Sequence, residues 1–225
     1  MMSKEKSILD LFKLDGQVAL IVGGNRGLGL AMAKALAEAG ADISIAARSS
    51  KENEEAEKQI KDLYSRNCMS TVCDVTDEES VKESVRLTAE RFGKIDILIN
   101  SAGINIRGAI ENLTLDDFNK VQQVNVTGSW LACREVVPIM KKNGYGRIIN
   151  IGSMLSVIAI PERTPYATSK GAILQLTRSL AIELAKDNIN VNQTRINVTA
   201  LKDGTYIVKT LVDGEVTTNQ IMVKH

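Results

Sequence analysis

The chain has a single histidine, His225, and it is the last residue. That shortage argues against a Ser-His-Asp hydrolase and against a histidine-ligated metal site, because each needs an imidazole held inside the fold. Cysteine is scarce too. Cys68, Cys73 and Cys133 are odd in number and lack metal-ligand spacing, so they read as reduced structural thiols and no metal is expected. Neither sign of charge dominates. Twenty-eight Lys and Arg against 27 Asp and Glu leave a net charge of +1, which gives no reason to expect nucleic acid or an anionic membrane as partner. No apolar run is long enough to span a bilayer, and residues 1–16 carry too many charges for a secretory signal, so a cytoplasmic setting is expected. Internal repeats and low-complexity linkers are absent as well.

What is present is enough apolar material, 44% of 225 residues, to bury a large core. Short β-branched runs at 18–22, 42–46, 69–73, 95–100, 147–151 and 189–192 alternate with amphipathic helical stretches. That alternation predicts βαβ units: an α/β fold of Rossmann-like, doubly wound type, its mostly parallel sheet covered by helices on both faces. Ser49-Ser50-Lys51-Glu52 and Thr76-Asp77-Glu78-Glu79 each fit a capping box and predict helix starts at Ser49 and Thr76.

Chemistry enters with Tyr166 and Lys170, four positions apart in Tyr166-Ala167-Thr168-Ser169-Lys170. On a helix they share one face. A neighbouring ammonium favours the phenolate and would draw a tyrosine down from its reference value of about 10 towards neutrality, making a general acid/base without histidine. Ser153 follows the β-branched run 147–151 and offers a hydroxyl for a substrate oxygen. Near the N-terminus, Gly23-Gly24-Asn25-Arg26-Gly27-Leu28-Gly29 opens a helix expected over 28–39. Gly23, Gly27 and Gly29 leave room for main-chain amides to approach a pyrophosphate, with the positive end of the helix behind them. A tight turn without a ligand is the alternative.

These residues, in this order, resemble the short-chain dehydrogenase/reductase family over roughly residues 9–192. The resemblance implies an NADP-dependent or NAD-dependent oxidoreductase with catalytic residues Asn125, Ser153, Tyr166 and Lys170. Tyr166 would exchange a proton with the substrate oxygen, and Ser153 would stabilise the oxyanion. Lys170 would tune Tyr166 and bond the nicotinamide ribose, and Asn125 would hold a water linking Lys170 to solvent. Asn125 equally fits a polar residue at a helix-packing seam. The implied cofactor contacts are Gly23, Asn25, Arg26, Gly27, Leu28 and Gly29 in the loop, and Arg48, Asp74, Val75, Asn100, Ala102 and Gly103 after later strands. Tyr166 and Lys170 belong to both sets. Asn100 in Asn100-Ser101-Ala102-Gly103 is expected first to brace the sheet, and Asp74 alternatively reads as a capping or loop residue.

Family members that prefer NAD usually carry a carboxylate where this chain has Ala47. Arg48 follows, and Arg26 sits in the glycine loop; two guanidinium groups suit a 2′-phosphate, so NADP is expected and NAD remains possible. Solvated arginines are the alternative. Val22 stands where the family has a loop-stabilising threonine. The segments around Gly24, Ala102 and Ile151 resemble the gluconate 5-dehydrogenase group, which implies a small-molecule substrate such as a sugar acid, in the gluconate/5-ketogluconate pair. Arg107 and Arg163 are candidates to receive its carboxylate, or are plain surface charge.

The C-terminus departs from the family. After Asn192 there is no Ala-Pro-Gly-like turn, no helical lid and no seventh strand pattern, and the last proline is Pro165. Two alternating runs around Asp213-Gly214 instead predict a β-hairpin. It faintly resembles the final strands of the C-terminal sorting domains of type IX secreted proteins. The expected division is a catalytic dinucleotide-binding domain over 1–193 and an atypical hairpin tail over 194–225, with residues 205–212 lying either antiparallel beside the sixth strand or in a separate hairpin. Loss of the lid leaves a second functional reading open, a dinucleotide-binding relative with little or no catalysis. The resemblance keeps a homodimer possible and argues against a tetramer, whose second interface uses elements this chain lacks.

Overall fold

The computed structural model of the chain describes residues 10, 12–194, 204–212 and 215–223. The charged stretch 1–9, most of the segment 193–204, the Asp213-Gly214 turn and His225 lie outside the described residues. Six strands, β1 (Val18–Val22), β2 (Asp42–Ala47), β3 (Cys68–Val72), β4 (Ile97–Asn100), β5 (Gly146–Ile151) and β6 (Ile189–Thr194), pair in the order β3-β2-β1-β4-β5-β6, every pair parallel. The chain order reverses between β1 and β4, which opens a crevice at their carboxyl ends.

The helices between strands are α1 (Gly27–Glu38), α2 (Ser50–Tyr64), α3 (Glu78–Phe92), α4 (Leu115–Gln122), α5 (Gly128–Asn143) and α6 (Thr164–Leu184). Alternation along β1 sends Leu20 and Ile21 to opposite faces, and both are fully buried. Leu20 joins a core with Leu98, Val136, Met140 and Ile148, beneath α3, α5 and α6. Ile21 joins Ile43, Ile45, Ala33 and Ile60, beneath α1 and α2. Each such Leu or Ile contributes about 1.5–3 kcal/mol of burial free energy. The doubly wound α/β architecture read from the sequence is therefore the one observed.

The boundaries differ in detail. β3 runs one residue earlier than expected. β4 starts at Ile97 rather than 95, although the Asp96 main chain still bonds Val18 O and Arg147 N at 2.9 Å each; its carboxylate accepts from Val18 N at 2.8 Å and pairs with Lys94 at 2.9 Å. α3 is capped by Asp77, not Thr76. The Asp77 carboxylate accepts from the amides of Glu79 and Ser80, while the Thr76 hydroxyl donates to Asp74. Ser49 does cap α2, accepting from Glu52 N at 3.3 Å, but the reciprocal carboxylate bond of a full box is not made. β7 (Gly204–Val212) and β8 (Glu215–Val223) pair antiparallel with each other in a sheet of their own, with Val212 opposite Glu215. Of the two placements considered for residues 205–212, the separate hairpin is the one found. Among the described residues no helix is long and apolar enough to cross a membrane.

Candidate active site

The crevice is a cleft of about 930 Å³, and its walls come from loops at the carboxyl ends of the strands. At one end is the β1–α1 turn. Gly23 adopts φ +79°, and a Cβ there would lie 2.6 Å from Ala102 N; a Cβ on Gly29 would lie 2.0 Å from the Gly23 carbonyl oxygen. These two glycines let the turn fold flat between β1 and β4. Gly27, at φ +53°, has no atom within 4 Å of its missing Cβ and faces open space. Helix α1 has no side-chain cap and no carboxylate in its first turn, whereas α2, α3 and α4 have both. Its free amides therefore present uncompensated positive charge beside the turn.

At the other end, Ser153, Tyr166 and Lys170 meet on the cleft wall. Ser153 leaves β5 in an extended conformation and caps the short 3-10 turn Met154–Ser156, its Oγ accepting from Leu155 N at 3.1 Å. The oxygen is thereby fixed while its proton stays available. Tyr166 and Lys170 sit one turn apart on α6, and the Lys170 ammonium donates to the Ile151 carbonyl at 2.7 Å. Burial holds the Tyr166 phenol above its usual range, with the Ser153 hydroxyl pulling the other way. Burial also pushes the Lys170 ammonium down to about 8. The expected downward pull of Lys170 does not lower Tyr166 in the protein alone: burial leaves Lys170 largely neutral above about pH 8, before a phenol held above its usual range can titrate.

Asn125 lies behind this wall in a five-residue π turn, Gln123–Thr127, between α4 and α5. Its side chain is fully engaged: Oδ1 accepts from Ile104 N at 2.8 Å, and Nδ2 donates to Ile104 O at 3.0 Å and to Ser169 Oγ at 2.9 Å. The Ser169 hydroxyl in turn donates to the Tyr166 carbonyl at 2.7 Å. Asn125 thus ties the loop carrying Gly103 to the helix carrying Tyr166. Asn100 also stands behind the wall. It donates to Asn150 Oδ1 at 2.9 Å across β4 and β5, and Asn150 donates to Thr177 Oγ1 on α6 at 3.0 Å.

Asn25, Arg26, Leu28, Arg48, Asp74, Val75, Ala102 and Gly103 all line the cleft, as do Arg107 and Arg163. The Asp74 carboxylate accepts from the Thr76 amide at 2.9 Å and from the Thr76 hydroxyl at 2.8 Å. The amide bond, with the hydroxyl and Arg48 adding to it, keeps its carboxyl below the ordinary range. Three contributors escape the sequence. Glu52 belongs to α2 by its capping pattern, yet its carboxylate turns into the cleft. Ser169 reads as one more helix hydroxyl. Gln193 donates to Ser156 Oγ at 3.3 Å, and Ser156 Oγ accepts from Ser153 N at 3.3 Å, so Gln193 supports the Ser153 turn. Only Glu52 left a signal, a carboxylate a few residues beyond Ala47.

The family model for short chain dehydrogenase matches residues 17–205. The chain belongs to the short-chain dehydrogenase/reductase family. It is accordingly an oxidoreductase by family, and the match runs past residue 193, where the sequence was expected to leave the family. Among its relatives, a 2-(R)-hydroxypropyl-CoM dehydrogenase from Xanthobacter autotrophicus is 38% identical over 179 residues, covering 78% of this chain and 72% of that protein. The structure is similar to that of a gluconate 5-dehydrogenase from Burkholderia cenocepacia in complex with NADP and tartrate, with TM-score 0.80 and 36% identity over 83% of this chain and 73% of that one. It is equally similar to an NAD+-bound xylitol dehydrogenase, with TM-score 0.79 and 38% identity over 81% of this chain and 70% of that one.

The residues present fit the nicotinamide dinucleotide that the family binds. The flat glycine turn, the open space at Gly27 and the uncapped start of α1 suit a pyrophosphate. Ser153 and Tyr166 line the same cleft as the turn.

Proposed function

We propose that this family member is an NADP-dependent reductase/dehydrogenase acting on a carbonyl or secondary alcohol, with a sugar acid of the gluconate/5-ketogluconate type as substrate. The observation that carries the reading is the meeting of Ser153, Tyr166 and Lys170 at one end of a cleft whose other end is the uncapped glycine turn. When bound, the nicotinamide supplies or accepts the hydride. Tyr166 gives its proton to the substrate oxygen in reduction or takes one in oxidation. Ser153, with its oxygen held by Leu155 N, donates to the same oxygen as charge develops there. Lys170 is half-neutral near pH 8 in the free protein, and its role is to return protons to Tyr166 and bond the ribose. Asn125 holds Gly103 and Tyr166 in place through its side-chain amide, a positioning role.

Arg48 and Arg26 support NADP. Arg107 and Arg163, on the cleft wall, support an acidic substrate. The domain over 1–193 carries this chemistry, with the hairpin tail outside it, in a cytoplasmic and homodimeric protein. Calorimetric binding of NADPH followed by turnover with a panel of sugar acids tests the reading.

One observation favours a second reading, cofactor binding with little catalysis. Met154, Val157, Ile158 and Ile160, in the segment that follows Ser153, are exposed, and among the described residues no helix follows β6. A reacting centre open to water holds substrate poorly. NADPH binding without turnover of any panel member selects that reading.

A further inference from the structure

The two arginines proposed for the 2′-phosphate are not equivalent. Ser49 starts α2, and the helix-capping pattern would send the Glu52 carboxylate back to Ser49. It goes forward instead, across the cleft wall. Glu52 Oε2 accepts from Asn25 Nδ2 at 3.2 Å, and Oε1 stands 3.6 Å from a terminal nitrogen of Arg26. Asn25 is buried, while the Glu52 and Arg26 side chains are 41% and 75% exposed. One carboxylate thus bridges the start of α2 to the glycine turn. Arg48, lining the same cleft, acts on Asp74 instead, and among the described residues it makes no ion pair of this kind. The end of β2, at Ala47, offers no carboxylate of its own.

We propose that Glu52 is a specificity-determining residue that opposes Arg26 and Arg48 in the choice between NADP and NAD. This rests on the cofactor reading of the cleft given above. A carboxylate can accept hydrogen bonds from ribose hydroxyls, so an adenosine with a free 2′-hydroxyl meets an acceptor. A 2′-phosphate meets a like charge and must draw the Arg26 guanidinium out of its pair before using it. Glu52 therefore supplies, from the first turn of α2, the negative charge that position 47 lacks. The consequence is a chain that takes both cofactors with a narrow preference, rather than one committed to NADP by its two arginines.

Glu52 is not needed for the fold. Ser49 caps α2 without the Glu52 carboxylate, and an exposed ion pair of this kind adds little stability. Glu52→Gln keeps an acceptor for Asn25 and removes only the charge.

Calorimetric titration of wild-type protein and Glu52→Gln with NADPH, NADH, 2′,5′-ADP and 5′-AMP tests the inference, with Glu52→Ala as a second variant that does not depend on how the new amide is used. The expected result is a roughly five- to tenfold gain in affinity for NADPH and 2′,5′-ADP in both variants. NADH and 5′-AMP should be unchanged or weaker. If wild-type protein binds both cofactors and neither variant moves their ratio by more than about twofold, Glu52 is not the determinant and the cofactor reading survives. A weaker grip on NADPH in both variants also overturns it, since Glu52 would then be orienting Arg26 for the phosphate. Binding of neither cofactor by the wild-type protein overturns both this inference and the reading beneath it.

Discussion

The Lys170 ammonium donates to the Ile151 carbonyl across 2.7 Å, pinning the helix that carries Tyr166 to the end of the strand that leads into Ser153. The bond orients Lys170 but does not offset its burial, and the ammonium titrates near 8. A lysine whose native value lies below its unfolded value of about 10.4 destabilises the fold while charged in both states. The unfolded chain binds more protons between about pH 8 and 10, so stability should rise through that window.

The rise is bounded at about 3 kcal/mol for a shift of this size. Three buried thiols act in the opposite direction, because Cys68 and Cys133 are pushed up to about 12 and Cys73 to about 11 by burial. Their contribution is intact below pH 9 and lost above it, as is that of Tyr166 above pH 10. Urea denaturation of wild type and Lys170→Met at pH 7 and pH 9 should therefore show wild type gaining on the variant as pH rises. A constant difference between them would mean Lys170 stays charged in the native protein.

Tyr166→Phe should lower turnover by on the order of 10²–10⁴-fold while cofactor affinity changes less than about twofold, because it removes one transferable proton and little contact area. Rapid-mixing hydride transfer with a turned-over sugar acid measures the first and calorimetry the second. Near-wild-type turnover would take the proton role from Tyr166.

Arg48→Asp should move preference from NADP towards NAD by roughly tenfold or more, since a charge-assisted bond to the phosphate is exchanged for repulsion. The ratio of Kd values for NADPH and NADH reads this directly. An unmoved ratio would mean Arg48 does not meet the 2′ position.

Two glycines of one turn should behave differently. Gly29→Ala places a methyl 2.0 Å from the Gly23 carbonyl oxygen, so the turn must open; about 3 kcal/mol or more of stability and cofactor binding should be lost together. A Cβ at Gly27 meets no atom and Asn tolerates positive φ, so Gly27→Asn should cost about 1 kcal/mol or less of stability, while its side chain enters the space proposed for the pyrophosphate and weakens NADPH binding. Thermal melts with and without NADPH distinguish the two. Equal losses of stability would contradict the packing described for Gly29.

The strands were legible because 18–22 and 147–151 are short runs rich in β-branched residues, of strand length and with the composition of a buried parallel strand. The glycine turn and the Tyr166–Lys170 spacing were legible because local chain geometry alone puts their atoms together. What escaped depends on contacts between distant segments. Nothing in Gln123-Val124-Asn125-Val126-Thr127 announces a π turn, which forms where Asn125 must reach both Ile104 and Ser169. Glu52 matches a capping box, but Asn25 and Arg26, brought close by the β1–β2 pairing, compete successfully for its carboxylate. The Lys170 effect on Tyr166 was overestimated because sequence spacing cannot register the burial that leaves Lys170 neutral above about pH 8.

The amide ladder from Asn100 through Asn150 to Thr177 crosses two strands and enters α6 about three turns beyond Tyr166. It works as an index mark. A helix packed only by apolar side chains can slide or rotate a little at small cost, and every such slip would swing the phenol relative to the Ser153 hydroxyl. Two buried amides and a hydroxyl favour one alignment, since a slip would unpair further polar groups in a core where Asn100 Oδ1 already lacks a partner. The precision of the site is thus set well away from the reacting atoms, and drift at Thr177 would reach Tyr166 as a misaimed proton.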